Sequence, residues 1–291
     1  MRDIKGTQQG TYMPVKDLTF SGGTRPHRTA SFEVREGPLV TVITAVLNAA
    51  GTIKGCIESV LSQDYPNLEH IVLDGGSSDG TVDILRQYDD RIALWKSEPD
   101  RGIYDAWNKC LIEARGEWIC FLGADDELLP GAVSAYMALA AQNPQAEYLS
   151  SKVKVVHSSG YERTIGSPWT WRKFSERMCT AHVGSMHRRS LVDRLGMYDT
   201  SYRIVADYEL LLRARDQLNA AYMPVITAIM RAGGVSGTRK ALEETARAKV
   251  ETGGRSKVLA AVELHIASAK YVLRPLRAAL GGIVARRFKS V

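Results

Sequence analysis

Apolar positions in the first half of the chain follow two alternating rhythms. Leu39 to Val46 is a short run of apolar and β-branched residues, the pattern of a strand covered on both faces. Ile53, Ile57, Val60 and Leu61 then recur at helical spacing. A second strand is predicted over Leu68 to Leu73, ending at Asp74, and a helix from Gly80 to Tyr88. Ile92 to Trp95 predicts a third strand, Ile103 to Ala114 a helix, and Trp118 to Leu122 a fourth strand. Pro130 is expected to open the next helix, since a first helical turn does not need its N–H. This alternation with short connections predicts an α/β fold, a Rossmann-like, mostly parallel sheet with helices on both faces and right-handed crossovers.

Past residue 145 the rhythm loosens. Tyr148-Leu149, Lys152 to His157 and Tyr161 to Ile165 predict short antiparallel strands, and Arg189 to Leu195, Asp207 to Leu218 and Ala241 to Glu251 predict helices. From Ser256 onward the chain reads as a basic helical tail, interrupted near Pro275 and Gly281-Gly282. Four regions follow: an irregular segment over 1–37, the alternating half over 38–145, a smaller second region over 146–253, and the tail over 254–291.

With 291 residues, 45% hydrophobic and 24% charged, the chain can bury a sizeable core without disulfides. Its four cysteines, Cys56, Cys110, Cys120 and Cys179, are scattered and fit reduced thiols. Cys179, His182 and His187 lack a second Cys-x-x-Cys pair, so zinc is not expected. A net charge of +6 points to an anionic partner. Between Lys270 and Val291 stand Lys270, Arg274, Arg277, Arg286, Arg287 and Lys289 with no acid. They are interleaved with Tyr271, Val272, Leu273, Leu276, Leu280, Ile283, Val284 and Phe288, and such a helix predicts contact with an anionic membrane surface. Residues 1–37 lack an apolar signal core, and no apolar run reaches ~18 residues. The expected location is cytoplasmic, peripheral to the cytoplasmic face of the membrane where the tail engages it. Neither an aromatic-rich basic sheet nor a helix-turn-helix pattern is present, so nucleic acid is not an expected partner.

Ligands of open α/β sheets bind beyond the carboxyl ends of the strands. Those ends deliver Asn48, then Asp74-Gly75-Gly76-Ser77-Ser78-Asp79-Gly80-Thr81, then Glu98-Pro99-Asp100-Arg101-Gly102, then Gly123-Ala124-Asp125-Asp126. Carboxylates gathered at one edge repel one another unless a cation sits among them. Hard oxygen ligands favour Mg2+ or Mn2+, which bridge protein carboxylates to substrate phosphates. Each segment taken alone also reads as a turn or a helix cap.

As an ordered set these segments resemble the family 2 glycosyltransferases of GT-A fold. The carrying residues are Thr41 to Asn48, Ser59 to Gln63, His70 to Thr81, Glu98 to Lys109 and Phe121 to Asp126, and the similarity runs from about Pro38 to Val235. The resemblance implies transfer of a sugar from a nucleotide diphosphate donor, a UDP-sugar, to a hydroxyl of a glycan or lipid-linked acceptor, with inversion. It implies that Thr44, Val46 and Asn48 line the nucleoside pocket and that Asp74 hydrogen-bonds the base. Asp100 and Arg101 would approach the ribose, phosphates or donor sugar, with Ala124 also on the donor side. Asp125 would be the metal-binding carboxylate of the Asp-x-Asp motif, whose first position is Gly123 here. Metal binding would then rest on Asp125, helped by Asp126 or a residue of the second half, and His182 would lie near the diphosphate or metal. Val205 to Arg213 resembles the family's acidic segment, which makes Asp207 the general base and Glu209 the lesser candidate.

Two other readings remain. Gly22-Gly23-Thr24-Arg25 superficially resembles the glycine-rich loop of sugar nucleotidyltransferases but precedes the first clear strand. Gly123 leaves open a non-catalytic nucleotide- or carbohydrate-binding protein on the same fold.

Overall fold

The computed structural model describes residues 19–25 and 36–273. Its first half contains β1 (Phe20–Gly22), β2 (Val40–Val46), α1 (Ile53–Leu61), β3 (Leu68–Asp74), α2 (Thr81–Arg86), β4 (Leu94–Ser97), α3 (Ile103–Glu113) and β5 (Trp118–Phe121). There follow β6 (Glu127–Leu128), α4 (Ala132–Gln142), β7 (Tyr148–Val156), β8 (Glu162–Ile165), α5 (Trp171–Phe174), β9 (Met186–Arg188) and α6 (Arg189–Leu195). The remaining elements are α7 (Ala206–Ala214), β10 (Ala220–Arg231), α8 (Arg239–Glu251) and α9 (Lys257–Val272).

One sheet runs through both halves in the order β1-β4-β3-β2-β5-β9-β7-β10-β6, with β8 paired to β7. Its parallel centre is β4-β3-β2-β5. The strand sequence reverses direction across the sheet at β2, which opens a crevice beside its carboxyl end. Helices cover both faces. Ile53, Cys56, Ile57 and Val60 of α1 recur at helical spacing and pack with α2 and α4 against Val40, Val42 and Val46. On the other face α3, α6, α7 and α8 pack against Ile43, Ile71 and Phe121.

The structure departs from the sequence expectations in identifiable places. The leading segment is not wholly irregular, because β1 pairs antiparallel with β4. The third strand begins at Leu94, two residues after Ile92, and α4 begins at Ala132 after a left-handed Gly131 (φ 76°). The two runs after Tyr148 form one continuous strand, β7. β9 and the twelve-residue β10 were not anticipated. Pro224 lies inside β10, and the pairing with β7 shifts register between Tyr222 and Ile226, which is how a proline is accommodated inside a sheet. The expected tail is α9 up to Val272, and its continuation from Arg274 lies outside the described residues.

Candidate active site

The loops after β2 and β3 are sewn together. The Asn48 backbone N–H donates to Ser77 Oγ (2.7 Å), and Ser78 N–H donates to Asn48 Oδ1 (3.0 Å). Ala49 and Ala50 donate in turn to Thr81 Oγ1 (3.0 Å) and Asp79 Oδ2 (2.9 Å). Asn48 adopts a left-handed backbone (φ 50°), a conformation asparagine tolerates better than most residues.

Asp74 lies beneath this loop and has no exposed surface. Its Oδ2 accepts from Gly76 N (3.1 Å), Ser77 N (2.9 Å) and Ser97 Oγ (2.7 Å), and Oδ1 accepts from Ser77 Oγ. The carboxylate therefore organises the loop from within. Thr44 is also wholly buried, 3.0 Å from His70 Nε2, on the face covered by α1. Burial lowers His70 to about 3, so this imidazole is neutral at pH 7. Val46 is buried in the same layer, and its carbonyl accepts from Gly75 N (2.9 Å). Leu47, by contrast, is 58% exposed at the strand end, an apolar surface that the sequence reading did not single out.

Asp100 folds over the Asp74 loop. Its Oδ1 accepts from Gly102 N (2.7 Å), and a side chain at Gly75 would meet its Oδ2 at 2.5 Å. Arg101 projects outward, paired with Asp105 at 2.8 Å. Its backbone carbonyl accepts from Arg203 Nη1, so the loop after β4 touches the segment that precedes α7.

At the end of β5 the two acids take different paths. Asp125 is exposed beside Ala124, whereas Asp126 turns inward and accepts from Arg231 N (3.0 Å). Burial, reinforced by the Asp125 charge, pushes Asp126 up to about 7. A Cβ on Gly123 would meet Asp126 Oδ2 at 2.5 Å and Asp125 Oδ1 at 3.2 Å. The inward carboxylate thus occupies the space that a side chain at position 123 would need.

His182, expected near the diphosphate or metal, lies among aromatic rings. It stacks on Phe121 (centroids 5.2 Å apart) and packs on Trp107 (5.0 Å) and His187 (5.4 Å). Burial lowers it to about 3, and neither ring nitrogen has a hydrogen-bond partner among the described residues. Among those residues, no three His, Cys, Asp or Glu side chains gather to hold a metal. Asp125 is a single accessible carboxylate, a donor set that suits a divalent ion whose other ligands are water and substrate phosphates.

Asp207 stands in the first turn of α7. Tyr104, from α3, donates to Ile204 O (2.6 Å) and lies 3.1 Å from Asp207 Oδ1. Glu244, from α8, accepts from Ile204 N (2.8 Å) and Arg203 N (3.0 Å). The peptide before Asp207 is therefore clamped from two helices, by Tyr104, which the sequence motif contains without a role, and by Glu244, which no motif marked. Burial raises Asp207 to about 6 despite the hydrogen bond from Tyr104. Glu209 faces elsewhere, paired with Arg213 and accepting from Thr252 Oγ1 (2.8 Å).

Gly22 to Arg25 sits away from this edge. Thr24 and Arg25 donate to Ile92 O and Ala93 O, and Arg25 pairs with Glu69 near the amino end of β3. It has no part in the crevice that a nucleotidyltransferase loop would line.

The profile of Glycosyl transferase family 2 matches residues 41–191. An uncharacterized glycosyltransferase of Mycobacterium tuberculosis is 36% identical over 182 residues, spanning 61% of this chain and 69% of its own. A PGL/p-HBAD biosynthesis glycosyltransferase of Mycobacterium bovis is 29% identical over 208 residues, 69% of this chain and 80% of its own. Among solved structures, Staphylococcus aureus TarS in complex with UDP-GlcNAc superposes with TM-score 0.60 at 17% identity, covering 81% of this chain and 72% of TarS. The mannosyltransferase PcManGT of Pyrobaculum calidifontis, in complex with GDP-Man and Mn2+, gives TM-score 0.59 at 20% identity, covering 85% and 75%. Both likenesses are likenesses of fold.

Proposed function

The chain belongs to glycosyl transferase family 2, and from that premise we propose that it transfers a sugar from a nucleotide diphosphate donor, a UDP-sugar, to an acceptor hydroxyl with inversion at the anomeric carbon. The acceptor is a hydroxyl of a glycan or of a lipid-linked molecule. What supports this reading is the meeting of the loop after β4 with the clamped segment before α7, through Arg101 and Arg203, together with Tyr104 of α3, which lies 3.1 Å from Asp207 Oδ1.

The donor's nucleoside lies on the rigid surface formed by the sewn loops, with Leu47 and Asn48 on one side and Gly75 and Asp100 on the other. Asp74 holds that surface from below, and Thr44 and Val46 support it. Arg101 stands on the phosphate side, kept in place by Asp105. Asp125 would hold Mg2+ or Mn2+ together with the donor's phosphate oxygens, where the ion would neutralise the leaving diphosphate. Asp207 accepts the proton of the acceptor hydroxyl. That oxygen bonds to the anomeric carbon from the face opposite the diphosphate, the carbon–phosphate oxygen bond breaks, and its electron pair leaves with the nucleoside diphosphate. A folded carboxyl near 6 is mostly ionised at pH 7 yet basic enough to hold a proton in transit. Among the described residues no helix is long and apolar enough to cross a membrane.

Calorimetric titration with UDP and GDP, with and without Mn2+, tests the donor site. UDP is expected to bind, more tightly with Mn2+, and Asp125→Ala is expected to remove the metal's effect. No binding of either nucleotide under either condition would overturn the reading.

A further inference from the structure

A cleft of about 620 Å³ opens between α7, α8, α9 and the chain after α5, and Asp207 forms part of its wall. Most of the remaining wall is apolar, from Met178, Val205, Leu242 and Ile266 among others. The charges that reach it are paired or peripheral: Lys249 bonds Glu263 at 2.8 Å, while Glu176, Arg177 and Lys270 stand exposed at the rim. A hydroxyl needs only a few ångströms of space beside its base. The cleft instead has the volume and apolar character of a pocket that encloses a hydrophobic ligand, typically ~300–1,000 Å³.

The helix that forms one side of this cleft is turned inside out. α9 meets the protein through Ala260, Glu263 and Ala267, and presents Val258 (76% exposed), Val262 (50%), Ile266 (51%) and Val272 (70%) outward along its other side. Ile266 belongs both to this stripe and to the cleft, so the apolar surface is continuous from the outside of the molecule towards Asp207. From Leu264 to Val291 the chain has six Lys and Arg and no acid. An apolar stripe joined to an acid-free basic segment has the chemistry of a surface that meets anionic lipid.

We propose that the cleft holds the hydrocarbon portion of an amphiphilic acceptor taken from an anionic bilayer surface, with the acceptor hydroxyl at Asp207. The inference deepens the transferase reading and rests on Asp207 as its base. In the transfer the hydroxyl proton passes to Asp207, the new bond joins the lipid-borne oxygen to the anomeric carbon, and the nucleoside diphosphate leaves with the electron pair of the broken bond.

The full chain is titrated with dodecyl maltoside below its micellar concentration, with maltose, and with UDP. Dodecyl maltoside is expected to bind where maltose does not, and Ile266→Arg to weaken it about tenfold or more while UDP affinity holds. Leu242→Trp, which fills the cleft without adding charge, should have the same effect. In flotation assays the chain is expected to rise with phosphatidylcholine vesicles containing phosphatidylglycerol, and Val258→Asp/Val262→Asp to reduce this. Equal affinity for maltose and dodecyl maltoside, indifference to both cleft variants, or no flotation would overturn the proposal. Alkyl binding that appears only after removal of residues 274–291 would also overturn it, because the chain's own tail would then be the occupant. UDP binding that persists through any of these failures leaves the transferase reading standing. Loss of UDP binding with alkyl binding intact would instead sink the transferase reading.

Discussion

Asp207→Asn should remove most turnover and yet stabilise the protein. Burial holds the Asp207 carboxyl at about 6 in the folded chain against 3.8 for a free aspartate. A carboxyl raised in this way favours its protonated form, so its stabilising contribution is complete at low pH and is lost as pH rises through about 6. Asparagine keeps the neutral shape at every pH, and its amide oxygen can still accept from Tyr104. Integrating the shift gives the variant an advantage of about 3 kcal/mol at about pH 7.5, falling to roughly half of that near pH 5 and to little at pH 4. Partial solvent access to Asp207 makes these upper values. Urea unfolding of both proteins across that range measures the trend. In parallel, kcat/KM of the wild type should fall about tenfold between pH 7 and pH 5, and the variant should lose about 10²–10⁴-fold of the activity at neutral pH. A variant less stable than wild type at pH 7.5, or a stability gap that widens as pH falls, would refute the assigned environment. A pH-independent rate between 5 and 7 would refute the role of base.

Two further substitutions probe the supports of the site. Gly123→Asp would restore the acidic position of the Asp-x-Asp pattern, but its Cβ would crowd Asp126 Oδ2, so a loss of about 1–3 kcal/mol is expected in urea unfolding. Adding Asp126→Ala should recover much of that loss, and a purely additive double variant would refute the coupling. Glu244→Ala frees two backbone N–H groups before α7, with an expected loss of about 1.5–3 kcal/mol and a lower kcat at unchanged UDP affinity. An unchanged kcat would show that the clamp does not position the base.

Local pattern made the first half legible. The spacing of Ile53, Ile57 and Val60 defines one face of a helix, and the β-branched run before Val46 can only be a covered strand, so the strand ends and their acids follow. The second region hid its architecture because its largest strand carries Pro224 and its smallest, β9, is three residues long. At the site, motif position singled out Asp207 but could not tell what surrounds it: Tyr104 and Ile204 stand 100 positions apart. Nor can sequence distinguish a carboxylate that faces a ligand from one that braces its own loop. Asp74, which the resemblance sets at the base, is engaged from within by Ser77, Gly76 and Ser97. Asp125 and Asp126 are neighbours in sequence yet differ in the same way, because one faces solvent and the other the β10 backbone.

The insertion of β9 between β5 and β7 bears on how the molecule can be taken apart. Cutting after residue 145 would leave β5 with one side unpaired, and every residue of that strand, Trp118 to Phe121, is buried in the intact chain. An uncovered, wholly apolar strand is a template for pairing with other copies of itself. An isolated first half should therefore precipitate or self-associate rather than serve as a minimal fragment for ligand titrations. Any shortened version intended for solution work would have to retain the segment through Arg188.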